Sequence, residues 1–258
     1  MSASQFQEYR YPDPGDRLTA TFILRSELEE AEWARQESQV LDLLSEPWRR
    51  LDPPARLLDF GSGLGRLTLR FAGGFDRVVS VEPDADRAAG QREAVAASPH
   101  GSRVEIRSEV SSEADRTYDA VLCSHVIQHV TADAALAVLN ELARLLRPGG
   151  HLLLTTTLAP DGEDRYAIKE NGRGGFSERD VGPEEFDAAC RVNRTGLLPV
   201  HFYGYPGLVA DLERRGLDVV SGYGFHGVHG VVGPLAIRPE RTSEFDACRD
   251  LAVLAVRR

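Results

Sequence analysis

The sequence is poor in the residues that would tie it to an oxidising compartment, a membrane or a nucleic acid. It has one methionine and three cysteines in 258 residues. Cys123, Cys190 and Cys248 are far apart, form no CxxC pair and are odd in number. That argues against a disulfide framework and for a reducing, cytoplasmic setting. No apolar run approaches the ~20 residues of a membrane span. The N-terminus shows no charged-then-apolar leader pattern. Acidic residues outnumber basic ones, 40 against 30, for a formal net charge of -10. No basic surplus exists to neutralise phosphates, so nucleic acid is not an expected partner. Lysine is nearly absent too: Lys169 is the only one, which reads first as compositional bias. The expected partners are a small molecule and, at most, a second copy in a homodimer.

What is present is an ordinary globular composition, long enough to bury a core without staples. Residues 1–17 are polar and read as an irregular arm, and apolar spacings of three and four predict a helix from about Leu18 to Leu44. From Ala55 onward short apolar runs alternate with helical segments. "ARLLDFG", "RVVSVEP", "RVEIRSEV", "YDAVLCSH" and "HLLLTTTL" read as five buried strands, and "DAALAVLNELARLLRPGG" as an amphipathic helix. This rhythm predicts an α/β, Rossmann-like, doubly wound parallel sheet. Residues 159–206 interrupt it with Gly, Arg, Asp and Glu and only short periodic pieces. They are expected to be a strandless insertion after strand five that forms a substrate lid. "PGLVADLERRG", "LDVVSGYG" and "RDLAVLAVRR" then give a last helix and two strands. The expected organisation is one domain: arm and helix 1–50, cofactor-binding core 55–157, insertion 159–206, and C-terminal helix and strands 207–258.

The first strand-to-helix turn reads Asp59-Phe-Gly61-Ser62-Gly63-Leu-Gly65. Glycines let the chain turn tightly and let a ligand approach the backbone. The next strand ends at Glu82, where a carboxylate can accept hydrogen bonds from two ribose hydroxyls. The spacing GxGxG differs from the GxGxxG of dinucleotide sites. An acid at Asp59, before the loop, suits a cationic amino-acid ligand better than a pyrophosphate.

Together, "LLDFGSGLGRLTLRFA", "VVSVEPDAD", "YDAVLCSHVIQHV" and "LARLLRPGGHLLLTT" resemble, in order, motifs of class I S-adenosylmethionine-dependent methyltransferases over about residues 55–157. The resemblance implies a seven-stranded sheet with the last strand antiparallel, and S-adenosyl-L-methionine as cofactor. It also implies roles for single residues. Asp59, Gly61, Ser62, Gly63 and Gly65 would line the methionine end. Glu82 and Pro83 would hold the ribose, and Glu109 and Val110 the adenine. Cys123 and Ser124 would lie beside the sulfonium, with the N-terminal arm folding over as a lid.

In open parallel sheets the ligand sits beyond the carboxyl ends of the strands. That rule points to residues 124–130, 159–206 and 222–246, where most of the histidines lie. His125 and His129 are the candidate catalytic residues, since histidine accepts a proton near neutral pH. Tyr166, His201, Tyr203, Tyr205 and His226 are the candidate substrate contacts. If residues 125–129 were helical, His125, Gln128 and His129 would share one face, but no carboxylate accompanies them and no metal is expected. The expected function is methyl transfer to an oxygen or nitrogen of a small-molecule metabolite of secondary metabolism. The alternatives are a protein methyltransferase, a lyase or cyclase that uses the same cofactor, or a non-catalytic subunit on the same fold.

Overall fold

The computed structural model describes residues 27–110, 113–172, 175–192, 196–235 and 248–258. The expected arm, and the start of the helix predicted from Leu18, lie outside them. The chain enters through helix α1 (Glu27–Ser45) and a 3-10 turn (Glu46–Arg50) that carries Pro47. Then follow β1 (Arg56–Phe60), α2 (Arg66–Ala72), β2 (Arg77–Val81), α3 (Ala85–Ala96), β3 (Val104–Arg107), β4 (Tyr118–Ser124), α4 (Ala132–Leu145) and β5 (Leu146–Ala159). Side-chain caps open two of the helices. Asp84 accepts from the amides of Asp86 and Arg87 at the start of α3, and Thr131 from Ala134 at the start of α4.

The strands of this half pair in parallel, in the order β3-β2-β1-β4-β5. Two strands complete that side. β9 (Leu217–Phe225) and β10 (Asp250–Arg257) pair with each other, and β10 runs antiparallel to β5. The seven-stranded sheet with its antiparallel last strand is therefore present. Both faces are buried, as parallel strands require. Leu58, Val79, Val121 and Leu154 pack under α4 and α6 (Tyr205–Arg214), while Leu57, Val78, Leu122 and Leu153 pack under α1 and α2.

The insertion differs from the sequence expectation. It is built of strands: β6 (Arg165–Gly172), β7 (Gly175–Val181), helix α5 (Pro183–Val192) and β8 (Leu197–Gly204). β6 pairs antiparallel with both β7 and β8, and β8 joins the end of β5 at Leu158 and Ala159. The segment is thus a three-stranded extension of the central sheet, and the strand count becomes ten. Its strands escape a hydrophobicity reading because β7 places Ser177, Glu178, Arg179 and Asp180 at an exposed edge.

Candidate functional site

A cavity of about 390 Å³ opens at the carboxyl ends of β1, β2 and β4. Its wall includes Asp59, Gly61, Ser62, Gly63, Glu82, Pro83, Ser124, His125 and His129, all anticipated from the sequence. The volume falls in the range of small-molecule sites.

The glycine turn is shaped by close approach. Gly61, Gly63 and Gly65 all have left-handed φ, at 74°, 58° and 83°. A Cβ on Gly61 would stand 2.3 Å from Cγ2 of Val126, and one on Gly65 would stand 2.6 Å from Cγ of Gln91. At Gly63 the nearest atom would be Nη1 of Arg87 at 3.6 Å, so the backbone there is open to a ligand. The amides of Gly61 and Ser62 donate to the Val81 carbonyl at 2.9 and 3.0 Å, tying the turn to β2. The Gly63 amide donates to Oε2 of Glu82 at 2.8 Å, and the Asp84 amide to Oε1 at 2.9 Å. These bonds orient the Glu82 carboxylate, and each oxygen keeps a lone pair for a further donor. Burial raises its pKa above the ordinary carboxylate range, against the pull of those amides and of Arg87.

Asp59 is 2% exposed at the end of β1. Thr68 donates to its Oδ2 at 2.6 Å, and Gln91 donates to the Thr68 hydroxyl at 3.1 Å and hydrogen-bonds Ser80. Burial lifts the Asp59 pKa to about 6, opposed by the Thr68 bond and reinforced by the charge of Glu82. A buried carboxyl with this proton affinity gains most from a cation placed beside it.

The turn after β4 carries both candidate catalytic histidines. It is a 3-10 turn (Ile127–His129), and His125 precedes it in a left-handed conformation, φ 53°. The shared helical face considered for a metal therefore does not form. A non-glycine residue at positive φ is strained and is held there by its surroundings. The His125 amide donates to the Thr155 carbonyl at 3.0 Å, and its ring meets Phe225 edge-on at 6.3 Å. Nε2 of Gln128 lies 3.0 Å from Nδ1 of His125, and Oε1 of Gln128 accepts from Thr156 at 3.3 Å. With Gln128 donating, Nε2 of His125 carries the ring proton. A half-turn of the amide reverses this and leaves Nε2 as the acceptor. At His129 the choice is fixed: Nδ1 lies 2.8 Å from the Pro199 carbonyl, which only accepts. Nδ1 therefore holds the proton and Nε2 the lone pair. Burial lowers the pKa of both rings, that of His129 to about 4.

Other anticipated residues fall elsewhere. Gly65 caps α2, Cys123 is fully buried in the core, and burial pushes its thiol well above the usual range. Val110 is buried in the core and Glu109 is exposed beyond β3; neither lines the cavity. Tyr166 stacks on His201 at 4.3 Å, His201 stands 3.8 Å from Tyr203, and Asp164 engages Nε2 of His201 at 3.0 Å. The Tyr203 hydroxyl donates to the Ile127 carbonyl at 3.0 Å, and Tyr205 is buried at the start of α6. His226 stacks on Trp33 at 4.6 Å, with Nδ1 2.6 Å from Asp250 and Nε2 3.0 Å from the Trp33 carbonyl. It clamps α1 onto the sheet and does not line the cavity. Sequence reasoning missed Arg66, which lines the cavity and pairs with Glu37 of α1 through two bonds of 2.6 and 2.7 Å. No local signal joins residues so far apart.

A family model described as "Methyltransferase domain" matches residues 31–221. The ubiquinone biosynthesis O-methyltransferase of Xanthomonas campestris pv. campestris (strain B100) is 31% identical over 106 residues, which are 40% of this chain and 44% of that protein. That of Xanthomonas axonopodis pv. citri (strain 306) is 31% identical over 110 residues, 42% and 45% of the two. The chain thus spans less than half the length of the curated relatives it matches. Among solved structures, the glycopeptide N-methyltransferase MtfA complexed with S-adenosyl-L-methionine superposes with a TM-score of 0.54 at 18% identity, covering 88% of this chain and 94% of that one. The Burkholderia thailandensis 1,6-didemethyltoxoflavin-N1-methyltransferase, with bound 1,6-didemethyltoxoflavin and S-adenosylhomocysteine, gives 0.52 at 17% identity over 96% and 92%. At these identities the likeness is one of fold.

Proposed function

Because this chain belongs to the methyltransferase-domain family, we propose that it transfers a methyl group from S-adenosyl-L-methionine to an oxygen or nitrogen of a small-molecule metabolite. The observation that carries the proposal is the pairing of a buried, proton-hungry Asp59 with a Glu82 carboxylate already oriented by two backbone amides, on either side of an open glycine turn. This donor set fits the cofactor. Asp59 suits an ammonium, the Gly63 backbone admits close approach, and Glu82 has acceptor capacity for vicinal hydroxyls. The bound cofactor supplies an electrophilic methyl on a sulfonium.

The protein supplies position and proton handling. Ser124, His125, Val126 and His129 form the wall from which an acceptor is presented. Alignment alone removes a large part of the barrier to an in-line displacement. For a hydroxyl acceptor, His125 takes the proton at Nε2 once Gln128 has turned its amide oxygen toward Nδ1. His129, locked with its lone pair on Nε2, is the second acceptor on the same turn. Both rings are neutral near pH 7, as a general base must be. The remaining elements of the reading are a cytoplasmic enzyme of secondary metabolism and a small-molecule partner. In keeping with it, no helix among the described residues is long and apolar enough to cross a membrane.

Calorimetry with S-adenosyl-L-methionine, its demethylated product and NAD tests the proposal. Saturable binding of the first two and none of NAD is the expected result. Tight NAD binding with no response to the sulfonium compound would overturn it.

A further inference from the structure

Helix α1 is held to the body of the protein through one short strip. Trp33, Gln36 and Glu37 share a helical face, at spacings of three and four. Gln36 is buried, donates to the Gly227 carbonyl at 3.1 Å and accepts from the Gly227 amide at 3.1 Å. Glu37 holds Arg66, which lines the cavity. Trp33 meets His226, a residue with left-handed φ, 55°, whose ring stacks on the indole at 4.6 Å and 11°.

Both ring nitrogens of His226 face acceptors. Nε2 lies 3.0 Å from the Trp33 carbonyl, and Nδ1 lies 2.6 Å from Oδ2 of Asp250. A carbonyl only accepts, so Nε2 carries a proton. A lone pair on Nδ1 would then face a carboxylate oxygen at 2.6 Å, two acceptors with nothing between them. A proton therefore sits in that contact. Burial pushes the Asp250 pKa up, but the bond from His226 and nearby positive charge together hold it below its ordinary value. The proton thus belongs to the ring, and the docked His226 is an imidazolium.

The surrounding charged and titratable groups leave this assignment in place. On α1, Glu37 is committed to Arg66 and Glu32 to Arg35. On β6, Lys169 lies 3.4 Å from Glu178. Burial lowers the pKa of His125, on the turn after β4. His229, on the loop that carries His226, is exposed. Arg249 precedes β10, lies over the Trp33 ring at 5.3 Å, and opposes a charge on His226. Asp250 is buried and in direct contact, so its attraction outweighs that more distant repulsion.

We propose that the proton held between His226 and Asp250 is the latch of α1: the helix docks with the proton in place and is released when it is lost, freeing Arg66 at the cavity wall. A neutral imidazole satisfies only one of the two acceptors. Above the ordinary histidine value of about 6.5, a ring freed from the contact is neutral while the docked ring is charged. Docking then takes up a proton, and rising pH favours release. The latch would regulate the candidate site, but it does not depend on the methyl-transfer reading.

Hydrogen exchange on the full chain, without cofactor, tests it. Between about pH 6 and pH 9 the protection of α1 amides, corrected for intrinsic exchange, should fall about tenfold or more relative to that of α4 amides. His226→Gln keeps a donor for Asp250 but cannot titrate in this range, and should abolish the fall. In histidine labelled with 15N, both ring nitrogens of His226 should carry protons at pH 7. Protection of α1 that stays level with pH, an equal fall in the variant, or a His226 ring with a single proton overturns the latch. The wild-type comparison of α1 with α4 decides this even if the variant does not fold. Cofactor calorimetry is a separate measurement, so a failed latch and a failed methyl-transfer reading are told apart.

Discussion

Replacing Asp59 by asparagine should make the protein more stable as the pH rises while making it worse at holding its cofactor. Burial raises the Asp59 pKa from 3.8 to about 6. A carboxyl whose folded-state pKa is raised favours folding while it is protonated, and that contribution is lost as pH climbs through the folded-state value. At 1.36 kcal/mol per tenfold change in proton affinity, the full loss between the acid and alkaline limits is about 3 kcal/mol. Over the accessible window of about pH 5 to pH 8, the same relation gives about half of that. The Asp59→Asn variant would have no such loss, and its amide oxygen can still accept from Thr68. Unfolding of both proteins by urea across this window is the assay, and groups that titrate in both cancel in the difference. The variant should gain on the order of 1–2 kcal/mol on the wild type across the window. Its affinity for S-adenosyl-L-methionine should fall, because the cation has lost its counter-charge. Parallel stability curves would refute the reasoning, since they would mean that Asp59 is ionised at no cost and is not held ready for a cation.

Three further outcomes follow from the site. Glu82→Ala should cost about 1.5–3 kcal/mol in cofactor affinity by calorimetry, because bonds from neutral hydroxyls to a charged acceptor are lost; unchanged affinity would place the ribose elsewhere. Gly61→Ala brings a Cβ within 2.3 Å of Val126 at φ 74° and should cost roughly 1–3 kcal/mol of stability in a thermal melt. Adding Val126→Ala should return part of it, and no rescue would mean that the clash is not the cause. His125→Ala should slow transfer to a hydroxyl acceptor about 10²–10⁴-fold. The wild-type pH–rate profile should fall on the acid side at a value below the ordinary histidine range, because burial lowers that pKa. An alanine variant that keeps the same limb would show that another group takes the proton.

The core was legible because strands buried on both faces read as unbroken apolar runs. Leu57 and Leu58, or Val78 and Val79, serve opposite layers from adjacent positions. The glycine turn was legible because its residue types answer a backbone demand that few others can meet. The insertion was not, because β7 is an exposed edge of charged residues and the apolar positions of β8 run through a proline. Lys169 gave no signal either. Lysine in a strand ordinarily reads as surface, and only folding shows it 2% exposed. His226 read as a substrate contact because its partners, Trp33 and Asp250, lie far off in the chain and are brought to it only by α1 and β10.

The turn after β4 and the insertion share two bonds, His129 to the Pro199 carbonyl and Tyr203 to the Ile127 carbonyl. For protein engineering, this means that the segment is no interchangeable module. A chimera that imports the corresponding segment of a relative to change acceptor preference must also import a carbonyl opposite position 129 and a donor opposite position 127. Without the first, the imidazole is free to change tautomer. A breakpoint drawn at the ends of the insertion would then alter proton handling along with specificity, whereas one that carries residues 125–204 as a block would keep the two together.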